Sequence, residues 1–214
     1  MTGLYMMAGT ALPVSAQNTV KLKADVWADN WFALYLDTKL LKQDSVPITT
    51  ERSFNAETFT FSGGYPLQLN FVLKDFKQND TGLEYIGTRR QQMGDGGLIA
   101  QFTDLASGKV VGATSSAMRC LVVHQAPLDK SCARERDPEP GKGVCQFLSV
   151  AEPAGWKEQG FDDSDWPRAT VYSARAIRPK GGYDKIRWDR SAKFIWSGDL
   201  ETDNTVLCRL RIDR

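Results

Sequence analysis

Apolar and polar positions alternate with a period of two along most of this chain, the spacing of β-strands that bury one face. In residues 20–27, Val20, Leu22, Ala24 and Val26 fall on one side. Residues 31–37 form a dense aromatic and aliphatic run. A turn at Thr38-Lys39 and a short strand over 40–43 complete a predicted hairpin. Residues 58–61 end at Gly63-Gly64, and Pro66 opens the run 67–76, in which Leu67, Leu69, Phe71 and Leu73 share a face. Further strands are predicted at 98–102, 109–113, 118–124, 169–173, 192–196 and 206–212.

About ten short strands separated by Gly, Pro, Asn and Asp turns predict an all-β chain, an antiparallel β-sandwich with long loops and few or no helices. No segment repeats with the 20–50-residue period of solenoids and propellers. Residues 129–144 (DKSCARERDPEPGKGV) are the one candidate boundary. They read as a surface excursion, because the strands after them are too few to close a core alone. Residues 18–214 are therefore expected to be a single domain.

Charge changes the picture by exclusion. With 27 basic and 26 acidic residues the formal net charge is +1, so no field draws in nucleic acid or an anionic membrane. No apolar run approaches the roughly 20 residues of a membrane span. At the N-terminus, the apolar stretch LYMMAGTALPV leads to Val14-Ser15-Ala16, a small-x-small pattern like a signal-peptidase site, although nothing basic precedes it. Residues 1–17 are read as a secretory signal with a truncated start. Four cysteines, Cys120, Cys132, Cys145 and Cys208, agree with export and suggest two disulfides with three pairings open. Cys132 and Cys145 flank the charged loop that a local bridge would pin, and Cys120 and Cys208 lie in alternating runs suited to a strand-to-strand bridge. Zinc has no CxxC spacing to use, and His124 is the only histidine.

Candidate chemistry concentrates in residues 74–97, a polar, glycine-punctuated stretch between two strands. Loops on a rigid β-scaffold are where binding groups reside. This one offers Asp75, Asn79, Asp80, Glu84 and Asp95 as oxygens, Arg89 and Arg90 as planar donors, Gln91 and Gln92 as amides, and Tyr85 as an aromatic face. That mixture binds sugars through bidentate hydrogen bonds and ring stacking; a solvated connection is the plainer alternative. Asp29, Asn30 and Trp31 sit at a strand-to-strand corner, where Asp29 and Asn30 either fix the turn or present oxygens to a ligand. Residues 172–188 carry a basic stripe, Arg175, Arg178, Lys180, Lys185 and Arg187. No GxSxG, HExxH or phosphate-loop motif occurs, and none of the 26 acids is nominated as a hydrolytic pair. No enzyme is expected.

Three segments carry a resemblance: Ala28-Asp29-Asn30-Trp31 running on to Leu40, Trp156 with Gly160-Phe161-Asp162-Asp163-Ser164-Asp165-Trp166-Pro167, and Ile195-Trp196 with Cys208-Arg209-Leu210-Arg211-Ile212. In this order they are similar to motifs of the galactose-binding-like jelly-roll domains that accompany glycoside hydrolases such as rhamnosidases. Thr38 departs from the glycine usual in the family's turn, and the cysteine-stapled loop is an insertion. The resemblance implies a jelly-roll sandwich, in some members with a structural calcium, that recognises carbohydrate or a cell-surface glycan through loops at one end. The alternative is a protein-interaction scaffold supporting a separate catalytic partner. Fold alone does not choose between them.

Overall fold

The computed structural model describes residues 19–53 and 55–214. The first sheet contains β1 (Thr19–Asp29), β4 (Asn55–Gly64), β8 (Gly97–Asp104), β9 (Val110–Ala113), β12 (Thr170–Tyr172) and β13 (Phe194–Trp196). Its order is β12-β13-β8-β1-β4, with β9 added beside β8. The second contains β2 (Trp31–Leu36), β3 (Lys39–Gln43), β5 (Leu67–Lys74), β10 (Arg119–Gln125), β11 (Leu148–Ser149) and β14 (Asp203–Ile212), in the order β11-β10-β14-β5-β2-β3. All pairings within the two sheets are antiparallel. The chain is an antiparallel β-sandwich, as the alternating pattern predicts.

Each predicted strand is present, with ends shifted by one to three residues. The hairpin turn falls at Asp37-Thr38, one position early, with Asp37 left-handed at φ 50°. Aspartate tolerates that conformation because its short side chain bonds locally. The paired β6 (Leu83–Glu84) and β7 (Gln92–Met93), and β11, have no counterpart in the pattern. Two-residue strands show no period.

The core lies between the sheets. Leu22, Ala24, Val26 and Phe102 of the first meet Leu67, Leu69, Phe71, Leu73, Val206 and Cys208 of the second, and all are essentially sealed from solvent. Both outer faces are also partly covered. On the first sheet Trp27 packs with Ile99 and Phe194 beneath residues 177–188, and its Nε1 donates to the Lys180 carbonyl at 2.7 Å. On the second, Trp156 and Trp166 lie over Ala33, Val72, Val123 and Leu207. Asp162 accepts from the Ser164 amide at 2.9 Å, and Asp163 pairs with the buried Arg209 at 2.7 Å. The carboxylates of this segment thus hold a turn and dock it.

Cys120–Cys208 joins directly paired residues of β10 and β14, and Cys132–Cys145 closes the charged loop. Two disulfides fit an oxidising compartment. Among the described residues no helix is long and apolar enough to cross a membrane. The signal-like residues 1–17 lie outside the described residues.

Candidate functional site

Strand register brings the two predicted loops to one end of the sandwich. Asp29 pairs with Gly97, Trp31 with Lys74, and Lys74 with Thr205, so the β1–β2 corner, the end of β5, the start of β8 and the start of β14 meet there. Asn30 staples the corner. Its amide donates to the Lys74 carbonyl at 3.0 Å, its Nδ2 to the Glu51 carbonyl at 3.0 Å, and its Oδ1 accepts from the Phe76 amide. These three bonds hold the corner.

Asp29 turns the other way, into a cluster with Asp75, Glu84 and Asp95. Asp29, Asp75 and Glu84 are each only 3% exposed. Burial first, and then the Asp29, Glu84 and Asp95 carboxylates, push Asp75 well above the usual carboxylate range. Neither of its side-chain oxygens has a hydrogen-bond partner. Burial likewise raises Asp29, with Asp95 adding to it and Lys180 opposing. Burial lifts Glu84 to about 7, although Gln92 Nε2 donates to it at 2.8 Å. Asp95 is raised by burial and partly restored by Lys180 and by Arg178, whose guanidinium donates to it at 3.2 Å. Gly94 permits the packing: a Cβ there would stand 2.0 Å from Asp75 Oδ2. Among the described residues no group of three or more His, Cys, Asp or Glu side chains is arranged to hold a metal ion. Burial thus holds all four carboxyls above their ordinary range.

Gln92 and Asp95 also line a groove of about 440 Å³. Its other polar walls are Gln91, Arg134, Arg178 and Glu201, with Met93 and Leu200 as apolar surface. Three segments separated in sequence therefore converge: the 74–97 stretch, the cysteine-closed loop and the basic stripe. Gln91 fastens the first two, since its Nε2 donates to the carbonyls of Ala133 at 3.0 Å and Glu135 at 2.7 Å. Cys132 and Cys145 pack on Leu83 in the same wall.

The remaining nominated residues lie elsewhere. Tyr85, left-handed at φ 53°, donates to Glu51 Oε1, and Arg90 stacks 4.0 Å from its ring centre while donating to its hydroxyl at 2.6 Å. One face of that ring is thus already occupied. Asn79 caps its own turn by accepting from the Thr81 amide at 2.9 Å, Asp80 pairs with Lys77 and His124, and Arg89 is exposed. Trp31 points to the outer face of the second sheet, under the Lys74 ammonium. Sequence reasoning did not nominate Arg134, Glu201 or Glu51. Nothing in a charged loop or a TTER turn distinguishes them before the chain folds.

Compared with known proteins, the chain matches no family model, no curated protein and no solved structure. The fold and the site define an antiparallel sandwich with a polar groove at one end, walled by a disulfide-closed loop.

That wall carries a prediction. Replacing Cys132 and Cys145 together by alanine is expected to cost about 2–3 kcal/mol, the scale for closing a loop of this length. Hydrogen exchange should quicken across 91–93 as well as 130–146. Faster exchange confined to 130–146 would show that the groove does not depend on the staple.

Proposed function

We propose that this chain is a secreted, non-catalytic module that recognises glycan in the end groove. The observation that carries the reading is the composition of the groove walls. A planar amide (Gln92), two guanidiniums (Arg134, Arg178) and two carboxylates (Asp95, Glu201) border one shallow space with Met93 and Leu200. Sugar hydroxyls both donate and accept, so a ring of alternating planar donors and acceptors with small apolar surfaces suits them. The jelly-roll resemblance supports the same ligand class, and the two disulfides and the signal-like N-terminal sequence support export.

The test is retention on a glycan array and in affinity gels, run with and without calcium. Arg178→Ala and Asp95→Ala are each expected to weaken retention ~10-fold or more, the scale of one lost charge-assisted hydrogen bond. A blank array and unretarded gels under both conditions would remove the reading.

A scaffold role has one observation in its favour. Leu128, Leu148 and Val150, 52%, 49% and 45% exposed, lie along the edge strand β11 and its flanks. An open apolar edge is a template for a partner strand. Co-purification of a catalytic partner that is lost on Leu148→Lys would favour it over the glycan.

A further inference from the structure

The second sheet carries a separate cleft on its outer face. His124 pairs with Thr205, Thr205 with Lys74 and Lys74 with Trp31, one row across four strands. Residues directly opposite in antiparallel strands share a face. Two positions further along, Leu207, Val72 and Ala33 lie under Trp156 and Trp166. At the row of Lys74 a cleft of about 460 Å³ opens, with Phe76, Val123 and Val150 among its apolar walls.

Five of the seven polar side chains that line it can donate. Lys74, Lys77, Ser149, Thr205 and His124 all carry N–H or O–H groups. Two carboxylates border it. Asp75 belongs to the buried cluster, and Glu152 Oε2 is taken by Trp156 Nε1 at 2.7 Å and Lys157 Nζ at 3.3 Å. Asp80 pairs with Lys77 at 2.5 Å and faces His124 Nε2 at 3.1 Å. Lys74 makes no ion pair among the described residues; its ammonium stands 5.2 Å from the Trp31 ring centre. The cleft therefore has one uncompensated cation beside hydroxyls and an apolar wall. The end groove differs in that its two guanidiniums, Arg134 and Arg178, are matched by Asp95 and Glu201.

We infer that this cleft binds an oxyanion, carboxylate or sulfate, borne on a ring-sized organic group, and that the ligand class is an acidic saccharide. The oxyanion follows from the donors and Lys74, whereas the saccharide rests on the glycan reading above.

His124 is the only histidine in the chain, so its ring resonances are an unambiguous probe inside the cleft. The intact protein is titrated with an oligogalacturonate, a sulfated oligogalactan and the neutral oligogalactan, following the imidazole C–H signals by NMR. One or both acidic ligands are expected to shift them, and which one responds identifies the oxyanion. Lys74→Gln should weaken that response ~10-fold or more, and raising salt from about 50 to about 500 mM should weaken it further. Lys109→Gln, the same charge change at the β8–β9 turn of the other sheet, serves as the control. The inference is overturned by imidazole signals that stay still with all three ligands, that move equally with the neutral one, or that respond in Lys74→Gln as in the native chain. Neutral glycan retained without an imidazole response keeps the end groove and removes this cleft. An acidic response with blank neutral retention does the reverse.

Discussion

Replacing Arg209 by methionine is expected to destabilise the protein by about 3 kcal/mol, because a buried guanidinium loses its hydrogen bonds to three carbonyls and its pairing with the partly exposed Asp163. Arg209 lies on the outer face of β14 at 3% exposure. Its Nε donates to Asp163 Oδ2 at 2.7 Å, and its other nitrogens donate to the carbonyls of Trp156, Glu158 and Phe161. One guanidinium thus gathers the 156–166 segment onto the sheet. Methionine keeps most of the stem but provides no donors, leaving a carboxylate and three carbonyls facing an apolar side chain. The same segment seals Asn70, whose Nδ2 donates to the Lys157 carbonyl at 2.8 Å, so its release would wet the sheet. Urea denaturation measures the loss, and near-ultraviolet dichroism of Trp156 and Trp166 reports the undocking. A loss below about 1 kcal/mol, the scale of an exposed pair, would mean that the Trp cluster docks the segment alone.

The second large effect is the buried carboxyl cluster's own contribution to stability, which is lost as pH rises and so runs opposite to that of the carboxylates their partners hold low, Glu51, Glu57, Asp80 and Asp199 among them. Asp29, Asp75 and Glu84 are all raised, first by burial and then by neighbouring carboxylates, Asp95 in each case. A carboxyl whose folded pKa is raised contributes stability that is fully present below its unfolded pKa and is lost as pH rises through the folded one. For Glu84 the window runs from its ordinary value of 4.5 to about 7. At about 1.4 kcal/mol per pH unit, it could withdraw up to about 3 kcal/mol between mild acid and neutrality. Asp44, lifted to about 6 by burial, contributes in the same direction from a separate site. His124 opposes them. Burial and the Lys77 ammonium hold its imidazole low, so its term is lost as pH falls. The clean comparison is therefore between the native chain and Glu84→Gln, whose side chain can still accept from Gln92. From pH 4.5 to 7 the variant's unfolding free energy should gain on the native by up to about 3 kcal/mol. Parallel curves would show that Glu84 ionises normally. Asp75→Asn should also stabilise at neutral pH, since neither oxygen of Asp75 is hydrogen-bonded.

These two effects mark how far the residues could be read in advance. Nothing in the spacing of Trp156, Asp163, Trp166 and Arg209 says that Arg209 and Asp163 meet across 46 positions. Asp29 and Asn30 are adjacent and chemically alike, and either could have fixed the turn or faced a ligand. Once folded, Asn30 is consumed by three bonds at the corner and Asp29 is driven among other carboxylates. Tyr85 reads as an open aromatic platform, but Arg90, five residues on, already stacks on one face.

By itself the sequence determined the longer strands, the inward faces of β1 and β5, and the antiparallel sandwich. These follow from a period of two and from turn residues, both local properties of the chain. It also marked the 74–97 stretch and the Asp29-Asn30 corner as places for binding groups, and the four cysteines as two disulfides. Only the tertiary structure decided which of those groups share a space. Sheet packing brought Asp29 of the first sheet to Asp75 at the end of β5, and strand register turned Lys74 to the outer face of the second sheet. The loop closed by Cys132 and Cys145 became a wall of the groove because Gln91 bonds to its backbone. Contacts between residues distant in sequence depend on sheet order and packing, and no local pattern encodes them.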